Sequence, residues 1–304
     1  MATAARKKER APKPGSLHTG KMLNRSRGGN AAIFLILFLI ALFMGLPLFY
    51  SVASAFKPPE ELYLFPPRFY VVNPTFDNFK KLGLMVSNLW VPFSRYLYNS
   101  LFISVVSTAL SVFIGAMAAY PFAKHKFVGK NVLWQLIMIT LLFSGGVTAL
   151  PGYIIKAKLG LINTYWVMIL PAIAVPLQMF LMRQFMLQIP DALIEAARLD
   201  GANEMRIFTT IILPNVKPAW LTVMVLAFQN IWNGSAGGAD STTVIFNERL
   251  KMLPAVLSQI NAGGYARMGV AAAASLILML PPMITFLVNQ NQMLQTMAHS
   301  GIKD

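Results

Sequence analysis

Residues 189–214 read IPDALIEAARLDGANEMRIFTTIILP, a polar, charged island between strongly apolar segments. Asp191 follows Pro190 and is a good helix N-cap, which predicts a short helix through Leu199. Leu193, Ile194 and Ala197 then fall on one face of that helix by their spacing. Gly201 stands where the chain must turn, because glycine reaches a left-handed conformation without a steric penalty. Asn203 can cap a second short helix, which Pro214 is expected to stop. Taken alone, this helix–turn–helix is a connector between two membrane helices.

The composition supports a membrane setting. The chain has 304 residues, 56% hydrophobic and only 12% charged, whereas soluble domains carry about 25% charged residues. The net charge of +15 lies largely in tails and loops, where it sets membrane orientation and does not point to nucleic acid. There is no cysteine, so disulfides, thiol chemistry and cysteine metal sites are excluded. His18, His125 and His299 have no metal-ligand spacing, so no metal is expected.

Charge-free windows count the spans. They run over 28–56, 96–123, 131–155, 159–182, 218–239 and 268–302, and the apolar part of the last ends near Val288. About 20 apolar residues cross the hydrocarbon core, so each window holds one helix and six spans are predicted. Ala53-Ser54-Ala55 has the small-residue look of a signal cleavage site. The apolar run from Ala31 to Tyr50 exceeds a signal core of about 7–15 residues, so it reads as a retained helix. The chain thus divides into a disordered basic tail over 1–29, a membrane domain over 30–289 containing the connector 189–215, and a tail over 290–304.

An even number of spans returns both termini to one side. The basic tail (Arg6, Lys7, Lys8, Arg10, Lys13, Lys21, Arg25, Arg27) marks that side as cytoplasmic. The same side receives Lys124, Lys126, Lys130, Arg183, Arg198, Arg206, Lys217 and Lys303, which brings most of the 26 basic residues inside. The connector with Glu195 is then cytoplasmic. The first outer loop, 57–95, is rich in proline and aromatic residues that suit a membrane interface or an external partner. The loop before the last span has room for a short outward-facing helix. Pro47, Pro151, Pro171, Pro176 and Pro281-Pro282 lie inside spans, where they kink helices.

Little catalytic chemistry is present. There is no GxxxxGK[ST] loop, so the chain does not hydrolyse ATP by that route. No acidic or histidine pair lies inside a span, which leaves a proton or sodium relay unsupported. No GxSxG motif occurs. The pattern is that of a conduit driven from elsewhere and not of an enzyme. One segment is chemically distinctive: Phe228, Gln229, Asn230, Trp232 and Asn233 cluster at the end of the fifth span, with Gln178 a weaker candidate in the fourth. Amides and aromatic faces together suit a neutral sugar. They equally suit hydrogen bonding between helices with an interfacial tryptophan.

The connector also carries a resemblance. Glu195-Ala196-Ala197, three residues, Gly201, nine residues and Ile211-x-Leu213-Pro214 resemble the EAA motif of ABC-importer permease subunits; Asp200, Ala202 and Phe208 extend the match. With six spans and this loop between the fourth and fifth, the chain is similar to carbohydrate-type permeases of the maltose-permease (MalG-like) kind. It looks nearest to those that handle oligosaccharides from polysaccharides. The resemblance implies an all-α membrane protein with the type I ABC importer fold and cytoplasmic coupling helices. It implies a second homologous permease subunit, two copies of a cytoplasmic ATPase that binds ATP and Mg, and an extracellular lipid-anchored binding protein that delivers an oligosaccharide. In that family the EAA loop docks on the ATPase. The tail Ser300-Gly301-Ile302-Lys303-Asp304 partly matches a pattern that reaches between the ATPase subunits, with Gly301 and Lys303 at the matching positions; a frayed tail is the alternative. A permease for a non-sugar solute and an autonomous secondary carrier are the rival readings.

Overall fold

The structure is a computed structural model that describes residues 27–87, 91–143, 145–236, 239–261 and 263–301. Two compact units divide the chain at residue 50. The first is represented by most of helix α1 (Arg27–Phe56), which has no charged residue after its opening Arg27 and is apolar on every side. It is long enough to cross a membrane.

The second unit is helical with one small hairpin. After the turn α2 (Pro59–Leu62) come α3 (Asp77–Ser87) and the long α4 (Phe93–Lys124). Helices α5 (Lys130–Thr140), α6 (Gly145–Lys158), α7 (Trp166–Ile173) and α8 (Pro176–Leu187) follow. The connector holds α9 (Asp191–Leu199), α10 (Glu204–Ile207), a π turn over Phe208–Ile212, and α11 (Leu213–Asn215). Then come α12 (Lys217–Trp232), the antiparallel pair β1 (Ser235–Ala236) and β2 (Ala239–Asp240), α13 (Ser241–Val244), α14 (Leu253–Asn261) and α15 (Met268–Gly301).

Among the described residues, four helical stretches are individually long and apolar enough to span: 28–56, 93–124, 166–187 and 268–290. The expected third span departs from a single helix. It is α5 and α6, bent against each other by 108° where Leu141–Phe143 lead into the glycine pair that opens α6. The stretch from Glu204 to Trp232 is likewise bent, by 80°, between Asn215 and Lys217. With each bent pair taken as one span, the count is the expected six. The fourth span breaks at Ala174–Val175, just before Pro176, whose ring disfavours helical geometry in the residue ahead of it.

Helix α4 is the centre of this unit. It packs against α7, α8 and α12, and α12 packs in turn against α15. Asn99, Ser100, Ser104, Ser107, Ser111, Ala116 and Ala119 form its buried face. Small side chains at helical spacing let neighbouring backbones approach closely, the usual means of association inside a membrane. The loops are folded elements in their own right. Glu61 accepts from the N–H groups of Val72 and Asn73, and Asn78 donates to the carbonyls of Ala55 and Lys57. The short helix expected before the last span is α14, and it faces inward: Leu253, Ala255, Val256, Leu257 and Ile260 are buried.

Candidate functional site

The connector folds as its sequence dictates, with three differences. Helix α9 occupies 191–199, but Pro190 is its N-cap residue and no side chain caps it. Asp191 is the first helical residue, and its carboxylate goes to Lys124 Nζ at 2.7 Å. That bond, with the lysine charge behind it, holds the Asp191 pKa below its ordinary 3.8. The second difference is Pro214, which lies inside α11 and does not stop the helical run. Proline cannot donate to the carbonyl four residues back and crowds it. The preceding turn opens into the π geometry of Phe208–Ile212, and the chain bends after Asn215.

The turn between the short helices closes in a Schellman arrangement. Ala202 N–H donates to the Ala197 carbonyl and Gly201 N–H to the Arg198 carbonyl, both at 3.0 Å. Gly201 takes φ +79°, as the turn requires. Asn203 then caps α10, its Oδ1 accepting from the Arg206 N–H at 2.8 Å.

Helix α9 has two faces. Ile194 is buried and Ala197 half-buried, in one core with Ala119, Tyr120, Met182, Met186 and Phe208. Glu195 and Ala196 are exposed. Leu193 also points outward, so it does not share the inner face with Ile194 and Ala197 as its spacing suggested. Leu199 is 89% exposed and Met205 52% exposed, which leaves an apolar outer surface beside Glu195. Asp200, Gly201 and Pro214 are exposed, while Ala202 and Leu213 are partly covered. Phe208 turns inward, its ring 5.8 Å from that of Tyr120 and 6.1 Å from that of Phe113. It anchors the loop and presents nothing to a partner.

The end of α4 grips both short helices. Lys124 reaches Asp191 and the Ile189 carbonyl. Glu204 accepts from Tyr120 Oη at 2.9 Å, pairs with Arg198 at 2.8 Å and lies 3.2 Å from His125 Nε2. Tyr120, Lys124, His125 and Glu204 escaped the sequence reading, because the bonds that tie the end of α4 to the connector join residues 65 or more apart along the chain. The one available signal was charge: acids in the first turn of each short helix face bases at the end of the second span.

The amide and aromatic segment is split. Trp232 is fully buried and donates Nε1–H to the Leu278 carbonyl of α15 at 2.9 Å. Phe228 is buried and stacks on Trp232 at 5.8 Å. Trp232 thus joins α12 to α15, and Phe228 packs on it from the same helix. Gln178 is buried too, its carbonyl oxygen accepting from the Ser111 hydroxyl. Gln229 is half-buried, and Asn230 and Asn233 are exposed. Phe228 also lines an apolar cavity of about 450 Å³ with Thr108, Phe113, Trp220 and Met224. Helix α15 continues past residue 290, where the tail was expected to begin, and ends at Gly301; Lys303 lies outside the described residues. Among the described residues no group of His, Asp or Glu could hold a metal.

The comparisons agree with this architecture. Protein LplC of Bacillus subtilis is 35% identical over 193 residues, covering 62% of this chain and 61% of LplC. The arabinooligosaccharides transport system permease protein AraQ of Halalkalibacterium halodurans is 30% identical over 270 residues, 87% of this chain and 93% of AraQ. One chain of the crystal structure of a bacterial ABC transporter involved in the import of the acidic polysaccharide alginate has the same fold. Its TM-score is 0.74 at 22% identity, over 89% of this chain and 99% of that one. The profile of the binding-protein-dependent transport system inner membrane components matches residues 29–292, and the chain belongs to that family.

Proposed function

We propose that this chain forms half of the membrane pathway of an oligosaccharide importer and is driven by a separate ATPase. The observation that carries the reading is helix α9. It is held to the end of α4 by Lys124, Tyr120 and Glu204, yet keeps Glu195, Ala196 and the apolar Leu193 and Leu199 outward. An apolar, short helix on a rigid mount suits a groove in a partner protein. Both termini and α9 are cytoplasmic in this reading, as the basic residues around them favour.

Closure of two ATPase copies on ATP and Mg pushes α9, and the clasp passes the displacement to α4 and its neighbours. A second permease subunit completes the pathway, and a lipid-anchored binding protein outside the cell presents the sugar. Carbohydrate is favoured by relatives such as AraQ, whose name specifies arabinooligosaccharides. The chain itself performs no catalysis in this scheme. Reconstitution tests it: proteoliposomes holding the full complex accumulate labelled oligosaccharide only with ATP at the ATPase and binding protein opposite. Accumulation by the permeases without the ATPase would identify a self-powered carrier and reject the proposal.

A further inference from the structure

A second cavity, of about 640 Å³, opens beside the start of α4 and is lined by Val91, Pro92, Ser94, Arg95, Tyr98 and Arg249. Under the importer reading, on which this inference rests, it lies on the outer face, at the far end of α4 from the α9 clasp. Its volume is typical of small-ligand sites, which span roughly 300–1,000 Å³.

Two guanidinium groups share this cavity without a counter-ion. Arg95 donates Nε–H to the Arg249 carbonyl and Nη2–H to the Tyr165 hydroxyl, each at 3.3 Å. Both acceptors are neutral. The Arg95 guanidinium also lies 5.7 Å from the centre of the Tyr98 ring, whose other neighbour is Phe102, stacked at 5.9 Å. Arg249 is fixed through its backbone. Its N–H donates to Asn247 Oδ1, and its carbonyl takes Asn99 Nδ2 as well as Arg95. Its side chain is left exposed, and among the described residues neither arginine forms an ion pair. The acid next in sequence, Glu248, is engaged elsewhere, accepting from Tyr96 Oη and paired with Lys251.

Two cations lining one cavity, with no acid paired to either among the described residues, favour an anionic ligand such as a carboxylate. Guanidinium forks match a carboxylate in two parallel hydrogen bonds. The rest of the lining, the Tyr98 hydroxyl and Ser94, offers groups suited to sugar hydroxyls. We propose that Arg95 and Arg249 form an entrance site that selects an acidic oligosaccharide by gripping a uronate carboxylate, so that the imported sugar is anionic.

The test is uptake by cells carrying the complete importer with either the native chain or Arg249→Gln. The probes are labelled trigalacturonate, its fully methyl-esterified form, and neutral maltotriose. Arg249→Gln removes an exposed side chain and leaves the backbone contacts, and membrane levels are matched by immunoblot. The expected result is a fall in trigalacturonate uptake of roughly tenfold or more, with uptake of the ester unchanged. Equal loss on acid and ester would assign the arginines to partner docking or lipid contact and overturn the proposal. Unchanged trigalacturonate uptake, or uptake of the neutral probes only, would overturn it while leaving the importer reading intact. Chain-dependent uptake of none of the three, in an assembled complex, would overturn the proposal and leave the importer reading to the reconstitution test.

Discussion

Gly201 has φ +79° and open space for 4 Å around the position a Cβ would take. Substitution there is therefore a test of backbone conformation and not of crowding. Gly201→Ala is expected to destabilise the turn by about 1 kcal/mol and Gly201→Val by more, because a left-handed backbone strains a β-branched residue most. The Val variant should reach the membrane but lose ATPase in co-purification; normal transport by it would show that the turn is unimportant. Trp232→Phe removes the hydrogen bond to Leu278 and shrinks a fully buried side chain, so the expected loss in thermal unfolding of the purified chain exceeds the ~1 kcal/mol of the hydrogen bond alone. Gly201 was readable in the sequence because few residues other than glycine tolerate its conformation. Trp232 and Gln178 were not, because the chemistry that stacks on or bonds a sugar also joins two helices.

The elements of the connector were equally uneven. The bounds of α9 follow from Pro190 and Gly201, whereas the partner of Asp191 lies across 67 residues of chain. The Lys124–Asp191 bond gives a pH dependence whose sign is fixed. The carboxylate pKa is lowered in the folded state, so the contribution is complete above the ordinary value of 3.8 and is lost as pH falls through the folded value. Asp191→Asn should therefore speed amide exchange in α9 at neutral pH, and the difference from the native chain should shrink in acid. No difference at neutral pH would point to packing of Ile194 and Ala197 as the sole anchor. The π turn before Pro214 and the bend after Asn215 were missed because proline was read as a stop. Its ring here loosens the turn before it, and the helical run continues.

Across the molecule, hydropathy found the apolar segments but not their directions. Composition cannot distinguish one straight span from α5 and α6, which are equally apolar and meet at 108°. The buried face of α4 was legible only in part. Ser100, Ser104, Ser107 and Ser111 are spread along the sequence and fall on one buried face with Ala116 and Ala119 only once the helix is built. Ser107 is fully buried there, so Ser107→Leu should force the surrounding helices apart at a cost of about 1–3 kcal/mol and lower the yield of assembled complex. Assembly at the native level would mean that α4 has slack along this face.

The central claim is that the outer face of α9 meets an ATPase and moves with it. The native chain has no cysteine, so a single introduced thiol is an unambiguous probe. Ala196 is exposed and Ala197 half-buried against the core, which makes Ala196→Cys the probe and Ala197→Cys its inward-facing control. Each would be paired with cysteines along the groove of the co-expressed ATPase, with and without ATP. The account predicts a disulfide from position 196 whose yield or groove partner changes with nucleotide, and a weaker one from 197. No disulfide at any groove position, in an intact complex, would contradict it.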